Sequence, residues 1–284
     1  MVQINPNNSP SPTIQFGFKI FRLPRAVLLL PLMVAMLFST SCDLATLKIG
    51  PLKTEAATVE LGGARSVQAE LSMGTGRIKL AGGAPNLMDG TFIYNVDDWQ
   101  PEVQYTAGDD LGHLSVSQPA YKDSLPVNLG DIRYEWDLRL NSDVPMVLSV
   151  TMGAGEGDLV IADLLLDSFK FKGGAGGVRI DLRGSSVSDL DVALGAGDVI
   201  LDLSGVWQQD LNATIKGGLG RVTLILPSSS GARVTTRGML SKINALELTN
   251  DGGVYTNDAY GLTGASMRID IESGIGEIVM KLGV

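Results

Sequence analysis

Cysteine and histidine are almost absent: 284 residues contain one of each, Cys42 and His113. A lone thiol excludes an intramolecular disulfide and a multi-cysteine zinc site. A lone imidazole argues against a Ser-His-Asp centre and leaves carboxylate or lysine chemistry as the open catalytic routes. Aromatic residues make up only 6% of the chain, and no stretch holds a helical period over three turns. Basic residues are also few. Lys19, Arg22 and Arg25 are the only charged side chains among the first 42 residues, so the remainder carries 19 basic and 31 acidic residues, a net −12. Such a surface repels phosphate backbones, which argues against a nucleic-acid partner. What is abundant is glycine, with 35 residues. Together with β-branched residues crowding the second half, it predicts an all-β protein with many tight turns.

Residues 1–18 are polar and read as an unstructured leader. Lys19, Arg22 and Arg25 then precede the apolar run Ala26–Phe38, which is too short to span a bilayer comfortably and has the basic flank of a secretory signal. The run ends in Phe38-Ser39-Thr40-Ser41-Cys42, which resembles a bacterial lipobox. That resemblance implies cleavage before Cys42 and acylation of its thiol, and several acyl chains anchor firmly where one is marginal. The expected organisation is a signal peptide at 1–41, the lipidated Cys42 and a tether through residue 62, an N-terminal module at 63–145, and a β-repeat array at 146–284.

Aligning the chain on Gly-x-Gly yields six copies: Gly74-Thr75-Gly76, Gly155-Glu156-Gly157, Gly174-Ala175-Gly176, Gly195-Ala196-Gly197, Gly218-Leu219-Gly220 and Gly274-Ile275-Gly276. Two residues beyond the second glycine stand Ile78, Leu159, Val178, Val199, Val222 and Ile278. Positions five and seven before it are apolar in every copy, and polar residues alternate with them. That is the period-two pattern of strands with one buried face, so each unit reads as strand, glycine corner, strand. Second glycines at 157, 176, 197 and 220 lie 19, 21 and 23 residues apart, a period that signals stacked units. The expected fold is a short β-solenoid or stacked-strand array of about 20-residue rungs, with a β-sandwich as the alternative. The gap from 220 to 276 has room for one or two degenerate rungs, around Val234–Thr236 and Gly253–Tyr255. Glu277–Leu282 then reads as a strand closing the C-terminal end.

The run AELSMGTGRIKLAGGAPNLMDGTFIYN (69–95), followed by DDWQPEVQY (97–105), resembles the N-terminal toast-rack domain of bacterial envelope proteins. The repeats in 147–226 and the close ASMRIDIESGIGEIVMKLG (265–283) are similar to the toast-rack domains of cell-wall-active antibiotic-response proteins and adhesin-like proteins. The resemblance implies an all-β, non-catalytic, envelope-associated protein. Its best understood members restrain a two-component envelope-stress sensor and anchor through several transmembrane helices, a pattern this sequence departs from, so the sensor-restraint role is not carried over.

Several constellations invite chemistry. A phosphate cradle needs its glycine turn to feed a helix, whereas each Gly-x-Gly here feeds a strand. A calcium roll needs acidic ligands at fixed spacing, but Arg77 and Arg221 follow the second glycine in two of six copies. Asp181 and Asp202 take equivalent places in adjacent rungs, and Asp158 with Asp198 forms a second such column. Stacked outward carboxylates about 4.8 Å apart are a candidate acid/base pair or metal site, although charged outward faces also serve to discourage edge aggregation. Trp99, Trp136 and Trp207 read as core plugs or end covers, and His113 as a surface residue.

The sequence therefore predicts no catalytic, cofactor-binding or metal-binding residues, and Cys42 as a lipidation site. The expected function is a membrane-tethered, extracytoplasmic structural or interaction protein of the bacterial envelope, adhesin-like or envelope-stress-linked. Its expected partners are the membrane, through the lipid, and envelope proteins or cell-wall glycans, with the protein itself a monomer. A self-assembling β-solenoid scaffold and an envelope polysaccharide-acting enzyme are the two alternatives.

Overall fold

The computed structural model of the protein describes residues 49–120 and 132–283. The expected signal peptide, Cys42 and the first part of the tether lie outside them. The described residues form fourteen strands, all joined in one sheet, and one short 3-10 turn, Asp97–Trp99. Among the described residues no helix is long and apolar enough to cross a membrane.

Seven long strands form the body: β2 (Ser66–Ala81), β7 (Met146–Val160), β8 (Leu166–Asp181), β9 (Asp189–Asp202), β10 (Leu211–Pro227), β11 (Gly231–Ala245) and β14 (Ser266–Gly283). Each is one continuous strand bent at its corner into two arms, and each pairs in parallel with the neighbouring rungs along both arms. These are the rungs of a stack, and the body has no hairpins of the kind a sandwich would use. In β9 the first arm buries Leu190, Val192 and Leu194, and the second buries Val199 and Leu201. Rung after rung repeats this, so both arms feed one hydrophobic core running the length of the stack. Burying each such aliphatic side chain contributes roughly 1.5–3 kcal/mol.

The bend depends on glycine for two reasons that coincide. Gly176 has φ +132° and Gly197 φ +124°, a backbone region that L side chains rarely adopt. A Cβ at Gly176 would also run into the carbonyl oxygen of Gly155 in the preceding rung, and one at Gly197 into that of Gly176. The same register corrects the second repeat copy. Gly155, with φ +136°, pairs with Gly76 and Gly176, so the corner is Gly153-Ala154-Gly155 and not Gly155-Glu156-Gly157. The corner spacing is then 21, 21 and 23 residues. Three glycines at 153, 155 and 157 made either alignment readable, and a two-residue shift leaves the buried face unchanged.

The stack does not follow chain order. β14 lies between β10 and β11, paired in parallel with both. Glu277–Leu282 is thus an interior strand, and the C-terminal end of the stack is β11. Ser241 of β11 takes the place of the second glycine without a left-handed φ. Beyond β11, β13 (Val254–Thr256) and β12 (Thr249–Asp251) pair antiparallel over its first arm only. Val234–Thr236 therefore belongs to a rung, whereas Gly253–Tyr255 belongs to this small cap.

At the other end the rung before β2 is split in two. β5 (Leu111–Ser117) pairs with the first arm of β2, and β6 (Tyr134–Leu140) with the second. β4 (Glu102–Thr106) covers β5, while β3 (Met88–Val96) and then β1 (Ile49–Val59) extend the sheet from β6. Here Phe92, Tyr94, Trp99, Tyr134 and Trp136 pack together, with Phe92–Trp136 and Trp99–Tyr134 in edge-to-face contact at 5.7 Å.

Two expected boundaries change. The tether loses residues 49–59 to β1, which is pinned by the Lys53–Asp97 ion pair (3.0 Å) and the Thr58 hydroxyl donating to Asp89 (2.8 Å). The break expected between 145 and 146 falls inside the stack, because β2 pairs with β7 from Val67↔Met146 to Ala81↔Val160. The described residues all fall within one compact unit.

Candidate functional site

Asp181 and Asp202 do pair in register across β8 and β9, but they do not face solvent. Asp181 is 2% exposed and Asp202 7%. At the strand ends the in-out alternation stops, and each carboxylate folds back to cap the turn that follows. Asp181 accepts from the Arg183 amide (3.2 Å) and from its guanidinium Nε (2.9 Å). Asp202 accepts from the Ser204 amide (3.1 Å) and hydroxyl (2.7 Å). The hydrogen bond to Asp181 also holds the Arg183 guanidinium above its ordinary pKa. These aspartates are turn caps, so the expected outward acid pair is not formed there.

The other acidic column also changes membership. With the corner at Gly155, Asp158 pairs with Lys79 and Arg179, and Glu156 is the residue in the column of Asp198. The residues just past the corner then align as Arg77, Glu156, Gly177, Asp198, Arg221, Glu277 and Lys242. Their signs run plus, minus, nothing, minus, plus, minus, plus. The shifted copy, with Asp158 in place of Glu156, has the same signs; what the sequence did not reveal is the stack order that makes these residues neighbours and adds Lys242 beside Glu277.

The ladder is a line of ion pairs on the outer face of the second arm. Arg77 Nη2 lies 2.7 Å from Glu156 Oε2, Arg221 Nε 2.9 Å from Glu277 Oε2, and Lys242 Nζ 3.9 Å from Glu277 Oε1. The Arg221 amide donates to Asp198 Oδ1 at 3.1 Å. Neighbours about 4.8 Å apart in a parallel stack can pair only when opposite in sign, so the alternation favours this register over slipped ones. At Gly177 the line is interrupted, and a cleft of about 450 Å³ opens over Gly157, Gly177 and Val178, with Arg179, Asp198 and Ile200 on its walls.

A second outward feature sits on the corner itself. Leu219, Ile275 and Leu240 align on β10, β14 and β11, and each is more than half exposed. The equivalent positions toward the other end are Ala196, Ala175, Ala154 and Thr75. The corner is therefore small-sided at one end and a greasy ridge at the other.

His113 is exposed and Trp99, Trp136 and Trp207 are buried, as the sequence indicates. The indole Nε1 of Trp207 donates to the Leu203 carbonyl at 2.8 Å. Tyr94 donates to Glu55 at 2.5 Å, and its phenol is pushed up to about 12 by burial first and that carboxylate second.

This stack of bent rungs can be set beside known proteins. The family described as the N-terminal domain of toast_rack matches residues 48–189 and 174–225. The chain belongs to the toast-rack family. Among solved structures, this toast-rack chain is similar to a candidate cell adhesion protein from Clostridium sporogenes, with 30% identity and a TM-score of 0.65. The match covers 82% of this chain and 100% of that one. A candidate adhesin from Bacteroides fragilis shares 13% identity, with 81% and 97% covered and a TM-score of 0.30. No curated protein matches the chain.

Proposed function

We propose that this toast-rack protein is a non-catalytic, adhesin-like interaction protein of the bacterial envelope, held to the membrane by a lipid on Cys42. The observation that carries this reading is the likeness to the Clostridium sporogenes protein, which extends over the whole of that chain. The sequence adds the signal-like Ala26–Phe38 run and a single cysteine directly behind it. The fold adds a rigid outer face whose charges are ordered by the stack, a suitable surface for recognition.

Cell fractionation and a cell-attachment assay test the two halves. The full chain is expected in the membrane fraction, and the Cys42→Ser chain in the soluble extracytoplasmic fraction. Cells carrying the parent chain should attach to neighbouring cells or matrix more than cells carrying Cys42→Ser. Equal membrane retention of both chains overturns the lipid anchor, and equal attachment of cells with and without the protein overturns the adhesin reading.

One observation favours the scaffold alternative. The second arm of β11 has no strand on its outer side among the described residues, and Leu240, Ile243 and Leu246 are exposed there. An uncovered edge of this kind is a template for pairing with another chain. Sedimentation of residues 43–284 across a concentration series separates the two: filaments would support the scaffold, and a constant monomer mass the tethered module.

A further inference from the structure

We infer that the interruption at Gly177 is a binding slot for a basic side chain, an arginine above all, presented by a polypeptide partner. The inference rests on the interaction-protein reading above and names the chemistry of the partner.

Glycine is not required at 177. Its φ is outside the left-handed region, and a Cβ built there meets nothing within 4 Å. This contrasts with Gly176 next to it, where backbone and neighbour both forbid a side chain. A strand-interior glycine weakens a strand and commonly marks a place where something else approaches closely. Here it leaves the cleft of about 450 Å³.

The cleft is lined by Arg77, Lys79 and Arg179 as well as Glu156, Asp158 and Asp198, but within the column itself both neighbours of the vacant position are acidic. Glu156 and Asp198 stand one rung to either side of Gly177, roughly 4.8 Å away along the stack. Arg77 binds Glu156 through Oε2 alone, and Asp198 receives the Arg221 amide on Oδ1. Glu156 Oε1 and Asp198 Oδ2 are left with no hydrogen-bond donor among the described residues. Two carboxylate oxygens flanking one vacant position suit a guanidinium, which presents several donors in a plane. Among the described residues no three acidic or imidazole groups converge on a metal position, so an organic cation fits better than an ion.

The chain itself shows the filled version. Arg221 stands between Asp198 and Glu277 in the same column, with its Nε on Glu277. Arg179, two residues beyond the slot, does not forbid a guest cation. Arg77 and Lys79 have the same spacing on β2, and Asp158 lies in register between Lys79 and Arg179. A guest arginine would therefore complete the rung-to-rung alternation of sign already present in the neighbouring column. It enters from solvent, with its aliphatic stem over Ile200.

The test is a titration of the full chain, ¹⁵N-labelled and held in detergent, with N-acetyl-arginine amide, using the neutral isostere N-acetyl-citrulline amide as control. Saturable amide shifts are expected at Glu156, Gly177, Arg179 and Asp198, in the millimolar range that one charge-assisted pair supports. Citrulline, Glu156→Gln and Asp198→Asn should each weaken binding by about fivefold or more, and Gly177→Arg should abolish it by filling the slot from within. Gly177→Ala, which adds a methyl in open space, should still bind. Equal shifts with citrulline, undiminished binding in Gly177→Arg, or no saturable shift overturns the inference. If Gly177→Arg does not fold, the two carboxylate variants decide in the same way. Loss of the slot would leave the fractionation and attachment results standing, so the two readings fail separately.

Discussion

Gly176 and Gly177 are adjacent, yet replacing each with alanine should move stability in opposite directions. At Gly176 the methyl must occupy a backbone with φ +132° and displace the Gly155 carbonyl oxygen. A residue held in such a region costs roughly 1–3 kcal/mol, and forcing a methyl into a packed site costs about as much again. The carbonyl belongs to a ladder that cannot shift alone, so little of this is relieved. The unfolded chain is stiffened by alanine, which returns roughly 0.4–1 kcal/mol. The net loss is about 3 kcal/mol, or roughly 6–12 °C in melting temperature for a domain of this size. At Gly177 only the last effect remains, so Gly177→Ala should gain roughly 0.4–1 kcal/mol and about 1–4 °C. Calorimetry of the two variants beside the parent reads both. Shifts of the same sign, or a Gly176→Ala chain that melts with the parent, would refute the corner geometry.

Three further outcomes follow from named contacts. Leu201 is fully buried in the continuous core, so Leu201→Ala should cost roughly 2–5 kcal/mol in chemical denaturation; a loss below about 1 kcal/mol would place that side chain outside the core. Asp181→Ala should destabilise by about 1–2 kcal/mol by stripping the Arg183 amide of its acceptor, while Asp181→Asn, which keeps an acceptor oxygen, should lose less. If both variants melt with the parent, Asp181 is not a turn cap. Tyr94 stays protonated in the fold up to about 12 against 10.0 unperturbed, so the folded state binds the extra proton. Its contribution is complete below pH 10 and fades as pH rises toward 12. Melting temperature should fall across that window less steeply in Tyr94→Phe than in the parent, and parallel curves would contradict the buried phenol.

The period-two alternation with paired glycines was enough to read the rungs, their buried faces and the all-β class, because those features are local. What escaped the sequence depends on which neighbour a rung meets. Shifting the second corner from Gly157 to Gly155 moves every residue by two and leaves the same face buried, so hydrophobicity alone does not distinguish the registers; the φ of Gly155 and the Arg77–Glu156 pair do. The position of β14 inside the stack is a question of fit. It keeps Gly274 and Gly276 and is packed on both sides, whereas β11, with Ser241 at its corner, lies at the end where one neighbour must be accommodated. Nothing local marks β1 as a strand, since the partners of its Lys53 and Glu55 are Asp97 and Tyr94, which come from distant sequence. Asp202 looked outward by parity. The strand ends there, and the turn claims its carboxylate.

The ladder and its slot rest on one register, Glu156 beside Gly177, and a disulfide can read it. In a Cys42→Ser background, Glu156→Cys with Gly177→Cys places the two Cα atoms on neighbouring rungs about 4.8 Å apart, inside the 4.4–6.8 Å Cα separation that a disulfide bridges. Asp158→Cys with Gly177→Cys places them two residues out of step, roughly 8 Å apart and beyond reach. Mild oxidation followed by mass spectrometry should show an intramolecular bridge in the first pair and free thiols in the second. A bridge in the second pair and none in the first would contradict the register, and with it the charge ladder.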